Sequence, residues 1–331
     1  MKGMIVAYGL SLLENFLAVT LTFFQISSSF GVIDRKVERG SRLVVVVPDG
    51  NRVILQMPRG NLECIEPRAL SLCQLSALLD SQMYFEAFDL ARKQRINLNL
   101  FVDHDPNLFL QNIDVFVKQV SNPQWICLFL AELQDEDCTT TMYKSHYPHN
   151  RTASLSNKTK QVCEALLTSV NKMNEKDAAK LTLPVLTAHV MKQSHDCLES
   201  ALTLIKTLKE SEDKMEHSVH WTSALQHLLY LRDVNQLMDA ALGMYDFNLV
   251  VLVASKSQKD PKEYLAFLNT LRQMEPFYQR FTVDKHLRKW ESALFNLIQC
   301  PDDHADELLQ FVTQQGLFKE ALLLLTKTDK R

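Results

Sequence analysis

Glycine is distributed along this 331-residue chain in a way that decides its fold class. Six of the eight glycines stand at or before Gly60, and only Gly243 and Gly316 occur in the 271 residues that follow. Glycine supplies positive φ at tight turns and lets backbone approach a phosphate closely, so a stretch this poor in it holds few hairpins. A sandwich, a propeller and a Rossmann domain are thereby excluded beyond residue 60, which leaves long helices joined at Pro, Asn and Asp. With 46% hydrophobic and 23% charged residues the chain is too apolar to be disordered. Its 36 basic and 39 acidic side chains nearly balance, which argues against a dedicated nucleic-acid arm.

The segment before Gly60 has two parts. Met4 to Ile26 carries one charge, Glu14, and twelve Leu, Ile, Val or Phe, long enough to cross a bilayer as a helix. It is expected to be a membrane anchor, a signal peptide, or a lead that does not belong to the folded protein. Leu43 to Val47 and Arg52 to Met57 then flank Pro48-Asp49-Gly50-Asn51 and predict a β-hairpin, closed by Pro58-Arg59-Gly60-Asn61. A two-stranded hairpin is marginal alone, so it belongs to a larger sheet or packs on the helices behind it.

From about Leu62 the pattern is helical. Pro67 to Asp80 and Tyr84 to Arg95 predict an antiparallel helical hairpin. Asp105-Pro106, Asn122-Pro123, Asp260-Pro261 and Asp302 or Asp303 mark further helix starts, because an Asp or Asn side chain caps a free N–H and Pro at the first position forfeits no bond. Glu263 adds a capping box to the Asp260 start. A motif recurs as Tyr84, Ala87, Phe88; Trp221, Ala224, Leu225; Trp290, Ala293, Leu294; and Phe318, Ala321, Leu322. The small Ala lets a neighbouring helix approach while the aromatic fills the groove. Such a degenerate array fits an α-solenoid of tetratricopeptide-like or HEAT-like hairpins. Lys144 to Lys158 has no apolar period and predicts a flexible loop.

Chemistry is sparse. The seven cysteines include no C-x-x-C pair, so no disulfide framework or zinc site follows from their spacing. No G-x-S-x-G, P-loop, H-E-x-x-H or EF-hand spacing occurs. Two histidine groups, His217, His220, His227 and His189, His195, Cys197, lack the apolar shell and convergent ligands of a metal site. Asp103-His104-Asp105 precedes a proline helix start, which makes capping its expected role. Arg92, Lys93 and Arg95 end a helix, where cations complement the dipole. No catalytic, cofactor-binding or metal-ligating residue is assigned, and no cofactor is expected.

QMPRGNLECIEPRAL (Gln56 to Leu70), FEAFDLARKQRINLNLFVDHDP (Phe85 to Pro106), YDFNLVVLVASKSQKDPKEYLAFLNTL (Tyr245 to Leu271) and MEPFYQRFTVDKHL (Met274 to Leu287) resemble the largest subunit of the Elongator complex, also called the IKK complex-associated protein. The resemblance spans most of Arg35 to Leu324. It implies two WD-type propellers, then a helical solenoid, then a dimerisation region and a basic tRNA-contacting segment, in a scaffold that holds the catalytic radical-SAM acetyltransferase-like subunit during wobble-uridine modification of tRNA. On that basis residues 1–32 are a hydrophobic lead that does not match the family, 33–61 a hairpin remnant of the second propeller, and 62–331 an α-solenoid truncated at its C-terminal end, without the dimerisation and basic regions. The expected function is that of a non-catalytic scaffold fragment, cytoplasmic or also nuclear, partnered by other Elongator subunits, with tRNA contact indirect or absent. The competing readings are a vesicle-coat or trafficking solenoid, and a membrane-anchored helical protein using residues 4–26. The KSQKDPKEYL string (Lys256 to Leu265) separates the first from Elongator.

Overall fold

The computed structural model describes residues 38–48, 50–147, 155–192, 196–210, 220–257, 259–300 and 304–327. Met4 to Ile26 lies outside them, as do Asp302 and Asp303; among the described residues no helix is long and apolar enough to cross a membrane. The chain divides into two compact units between Met173 and Asn174.

The first unit opens with an antiparallel sheet of β1 (Arg42–Val46), β2 (Val53–Gln56) and β3 (Leu62–Ile65), in the order β1-β2-β3. Val46 faces Val53 and Leu43 faces Leu55, with a bulge between Leu43 and Val45. The expected hairpin is thus present, but Pro58 to Asn61 turns the chain into a third strand instead of ending the sheet, and the first long helix starts only at Arg68. Leu62 to Ile65 has a single β-branched residue, Ile65, to advertise a strand; it pairs along β2, which would otherwise present an open row of N–H and C=O groups. The buried Asn51 ties the sheet to the helices by donating to Ser71 Oγ at 3.0 Å.

The helices that follow are α1 (Arg68–Asp80), α2 (Tyr84–Gln94), α3 (Leu100–Asp103), α4 (Pro106–Gln111), α5 (Ile113–Val120), α6 (Pro123–Glu132) and α7 (Lys158–Asn171). They enclose an aromatic core. Tyr84 meets Phe109 and Phe116 edge-on at 5.9 and 5.7 Å, and Phe116 lies 5.0 Å from Phe129, all of them buried. Edge-to-face rings add about 0.5–1.5 kcal/mol per pair beyond their buried area.

The second unit is entirely helical among its described residues: α8 (Glu175–Lys180), α9 (Thr182–Met191), α10 (Cys197–Glu210), α11 (Trp221–Leu231), α12 (Val234–Gly243), α13 (Phe247–Lys256), α14 (Pro261–Arg272), α15 (Pro276–His286), α16 (Trp290–Ile298), α17 (Ala305–Gln315) and α18 (Phe318–Lys327). One aliphatic core runs from α9 to α14 and takes in Val283, and a second joins α15 to α18 around Phe281, Leu294 and Phe311.

Local chemistry sets the helix starts. Asp105 accepts from Leu108 N, Asn122 from Gln124 N and Asp260 from Lys262 N, at 2.9–3.0 Å, and Pro occupies the first helical position each time. The helix ends follow a rule that the sequence hides. Four helical hairpins turn on a residue in the left-handed region two positions before the next helix: Gln82, Tyr245, Arg288 and Gly316, with φ of 57°, 56°, 58° and 72°. Met83 N donates to Leu78 O, Lys289 N to Asp284 O and Leu317 N to Val312 O, the closing bond of a Schellman turn. The residue that opens the next helix is Tyr84, Phe247, Trp290 or Phe318, aromatic in every case.

Three of the aromatics that follow this turn, Tyr84, Trp290 and Phe318, also head copies of the aromatic–Ala motif. Its four aromatics each begin a helix, and Ala87, Ala224 and Ala293, with Phe88, Leu225 and Leu294 beside them, are wholly buried. The fourth copy departs from the pattern: Ala321 is buried, whereas Leu322 is 68% exposed.

Gly316 tests the turn. A Cβ added there meets nothing within 4 Å, so Gly316→Ala carries only the backbone penalty of positive φ. We expect it to lower stability by about 1 kcal/mol in urea denaturation, with α17 and α18 still helical by circular dichroism.

Candidate functional site

The most elaborate polar constellation in the described residues is a strap, Leu133 to Tyr147, held over the first unit. Its anchors come from a short stretch around α3. Asn97 N donates to the Tyr143 hydroxyl at 2.9 Å; Asn99 Nδ2 donates to Glu132 O and Asn99 Oδ1 accepts from Gln134 N, both at 2.8 Å. Asp103 Oδ2 accepts from Cys138 N at 2.9 Å. Asp135 in turn accepts from Thr159 N.

At the centre lies a buried ion pair. Lys158 Nζ donates to both oxygens of Asp103, at 2.9 and 3.0 Å, and to Glu136 O at 2.8 Å. The Lys158 side chain is 1% exposed and that of Asp103 5%. A lysine opening a helix is disfavoured by the helix dipole, and Asp103 together with the Glu136 carbonyl offsets that cost. All three ammonium hydrogens have acceptors within 3.0 Å, the condition under which a buried charge is tolerable.

A chain of four hydrogen bonds fastens the far end of the strap. His104 Nε2 lies 2.7 Å from Asp80 Oδ1, and its Nδ1 lies 2.8 Å from the Tyr147 hydroxyl. Ser76 Oγ then lies 3.1 Å from Tyr147 and 3.2 Å from His146 Nε2. The Asp80 carboxylate only accepts, so His104 donates to it from Nε2.

These contacts revise two expectations. Asp105 alone of Asp103-His104-Asp105 caps a helix; its two neighbours hold the strap. Lys144 to Lys158 is not a free loop at its ends, since His146 and Tyr147 are bonded to α1 and Lys158 is part of α7. Residues 148–154 of that stretch lie outside the described residues. Sequence spacing missed the pairing because 55 residues separate the two charges, and Lys158 stands in a Ser-, Asn- and Thr-rich stretch that reads as solvated.

The remaining candidates have ordinary partners. His220 caps α11 by accepting from Thr222 N at 3.3 Å. Thr187 Oγ1 donates to Leu183 O and therefore accepts from His227 Nε2, 2.9 Å away. His195 and His217 lie outside the described residues, within which no three His, Cys, Asp or Glu are grouped to hold a metal ion. Lys93 pairs with Asp89 at 2.5 Å, Arg92 sits 4.7 Å from the Trp125 ring centre, and Arg95 follows α2 in the left-handed region. Burial pushes the Cys138 thiol far up, and the Asp103 carboxylate pushes it the same way, so it is not a reactive thiolate.

In the second unit the wholly buried Asp284 carboxylate accepts from the Tyr245 hydroxyl at 2.9 Å, Ser292 Oγ at 2.6 Å and Asn296 Nδ2 at 2.7 Å. It fastens the α12–α13 turn to α15 and α16, as Asp103 fastens the strap in the first unit.

Helical hairpins, left-handed turns with an aromatic at the next helix start, and polar keys between distant segments define an α-solenoid. The sequence comparisons say which one. The ELP1 alpha-solenoid family matches residues 68–271, and the chain belongs to that family, the first subunit of the Elongator complex. It is 47% identical over 299 residues to Elongator complex protein 1 of Mus musculus, covering 89% of this chain and 22% of the relative. The figures are 46% over 305 residues for the Oryctolagus cuniculus protein of that name, 91% and 23%, and 40% over 317 for that of Drosophila melanogaster, 93% and 24%. The chain thus spans about a quarter of the length of the curated relatives it matches.

Two predictions follow from the polar keys and the histidines. Lys158→Met leaves the Asp103 charge buried and unpaired and is expected to cost about 3–5 kcal/mol in urea denaturation. Lys158→Met combined with Asp103→Leu costs less than the single change, because no charge then stays stranded. Burial lowers the pKa of His189, with Lys192 adding to it, and burial alone lowers that of His227. Unfolded imidazoles protonate near pH 6.5 and these two only further into acid, so the stability they contribute above pH 6.5 is lost as the pH falls through that value. A melting series from pH 7.5 to 5 is expected to show a falling Tm, with a shallower fall for His227→Gln.

Proposed function

We propose that this chain is a non-catalytic scaffold segment of Elongator, which supports wobble-uridine modification of tRNA by holding the catalytic radical-SAM acetyltransferase-like subunit beside the others. The observation that carries the reading is family membership across most of the chain. Its physical counterpart is that the strongest polar groups described are consumed in holding one segment of the chain to another, which suits a framework. In this reading the β1–β3 sheet is the remnant of a propeller, the helices after it are a stretch of solenoid, and the chain works in the cytoplasm or nucleus with tRNA contacted by other parts of the assembly.

The test is a pull-down of the purified chain with the other Elongator subunits, alongside an acetyltransferase and tRNA-modification assay of the chain alone. We expect retention of at least one subunit and no turnover without partners. Turnover by the isolated chain, or failure to retain any subunit, would overturn the proposal.

A further inference from the structure

The strap is held by polar contacts more than by apolar burial. Between Leu133 and Tyr147 only Leu133, Cys138, Thr139 and Tyr143 are buried, while Gln134, Asp135, Glu136 and Met142 are exposed. The contacts are also interlocked. Asp103 Oδ2 serves both Cys138 N in the strap and Lys158 Nζ on α7, and the same ammonium holds Glu136 O in the strap. Lifting the strap alone would leave Asp103 short of Cys138 N and Lys158 short of Glu136 O, both in a buried site. Withdrawing Lys158 alone would strand the Asp103 carboxylate without its counter-charge. Each half-open state carries a penalty that full opening removes, since water then reaches both charges. The aromatic core of Tyr84, Phe109, Phe116 and Phe129 draws no residue from the strap.

We propose that Leu133 to Tyr147 and the Lys158 ammonium form a two-state latch, which opens as one event with the surrounding helices still folded and makes Lys158 chemically accessible only while open. Sub-global opening of this kind lies below the free energy of global unfolding, because few apolar contacts must break. The latch gives the first unit a switchable segment and a lysine whose accessibility reports its state.

The experiment follows two signals on the full chain: amide hydrogen exchange across the strap, and acylation of Lys158 by N-hydroxysuccinimide acetate. In the wild-type protein both are expected to be protected by the same factor, and less than the α5 amides of Phe116 and Val117. Asn99→Ala removes the bond from Gln134 N in the strap and the bond to Glu132 O at the end of α6 without touching Lys158, and is expected to speed strap exchange and Lys158 acylation together, by about tenfold, with α5 unchanged. Ser76→Ala removes the contacts of Ser76 with His146 and Tyr147 at the far end, leaving Tyr147 on His104, and is expected to move both signals by a common, smaller factor. If Asn99→Ala unfolds the unit, α5 protection falls as well, and Ser76→Ala then decides. Faster strap exchange with unchanged Lys158 acylation would overturn the latch, as would strap exchange that always matches α5.

Discussion

The Asp103–Lys158 pair is the interaction on which the first unit most depends for its uniqueness. Two charges withdrawn from water cost several kcal/mol each, and their mutual attraction repays this only if every remaining donor and acceptor is satisfied. Here that condition dictates structure. The third ammonium hydrogen requires a carbonyl, supplied by Glu136, and the second carboxylate oxygen takes another donor, Cys138 N. The pair therefore specifies where a strap of fifteen residues lies and where α7 begins, although it adds little to net stability compared with an apolar pair of similar size.

Part of this architecture was legible in the sequence because its causes are local. A cap acts over two or three residues, so Asp105-Pro106, Asn122-Pro123 and Asp260-Pro261 announced helix starts that the structure contains. The aromatic–Ala spacing acts within one helical turn and was legible for the same reason. The third strand was not, because Leu62 to Ile65 is a strand only by virtue of β2 beside it. Nor was the left-handed conformation of Gln82, Tyr245 and Arg288, although the turn between Asp80 and Tyr84 was: glycine marks positive φ in a sequence, and these residues adopt it under the direction of the closing bond and the helices on either side. The strap was missed for a third reason, that a polar stretch reads as solvated unless its distant partner is known.

The strings that carried the family resemblance also contain much of this non-local chemistry. Phe85 to Pro106 includes Asn97, Asn99, Asp103 and His104, every one of them an anchor of the strap. Tyr245 to Leu271 begins with the tyrosine that donates to Asp284, and Met274 to Leu287 contains Asp284 itself. The lack of a catalytic motif therefore does not mean a lack of demanding chemistry. The polar residues that would attract attention as a possible active site are engaged in joining segments that lie far apart in sequence.

A solenoid has a particular need for such groups. Several of its hairpins resemble one another: in four of them the second helix starts with an aromatic, and three of these follow it with an alanine and then a large residue. Apolar faces built on one pattern tolerate pairing with the wrong neighbour, since burial rewards area and is indifferent to identity. A buried carboxylate discriminates, because it leaves a costly vacancy unless one specific set of donors arrives. Asp103, with Cys138 N and Lys158, and Asp284, with Tyr245, Ser292 and Asn296, are two such keys, one in each unit. The repeat supplies the bulk of the burial, and the two keys fix which segments meet at their own sites. A solenoid needs both if its segments are to meet in one register.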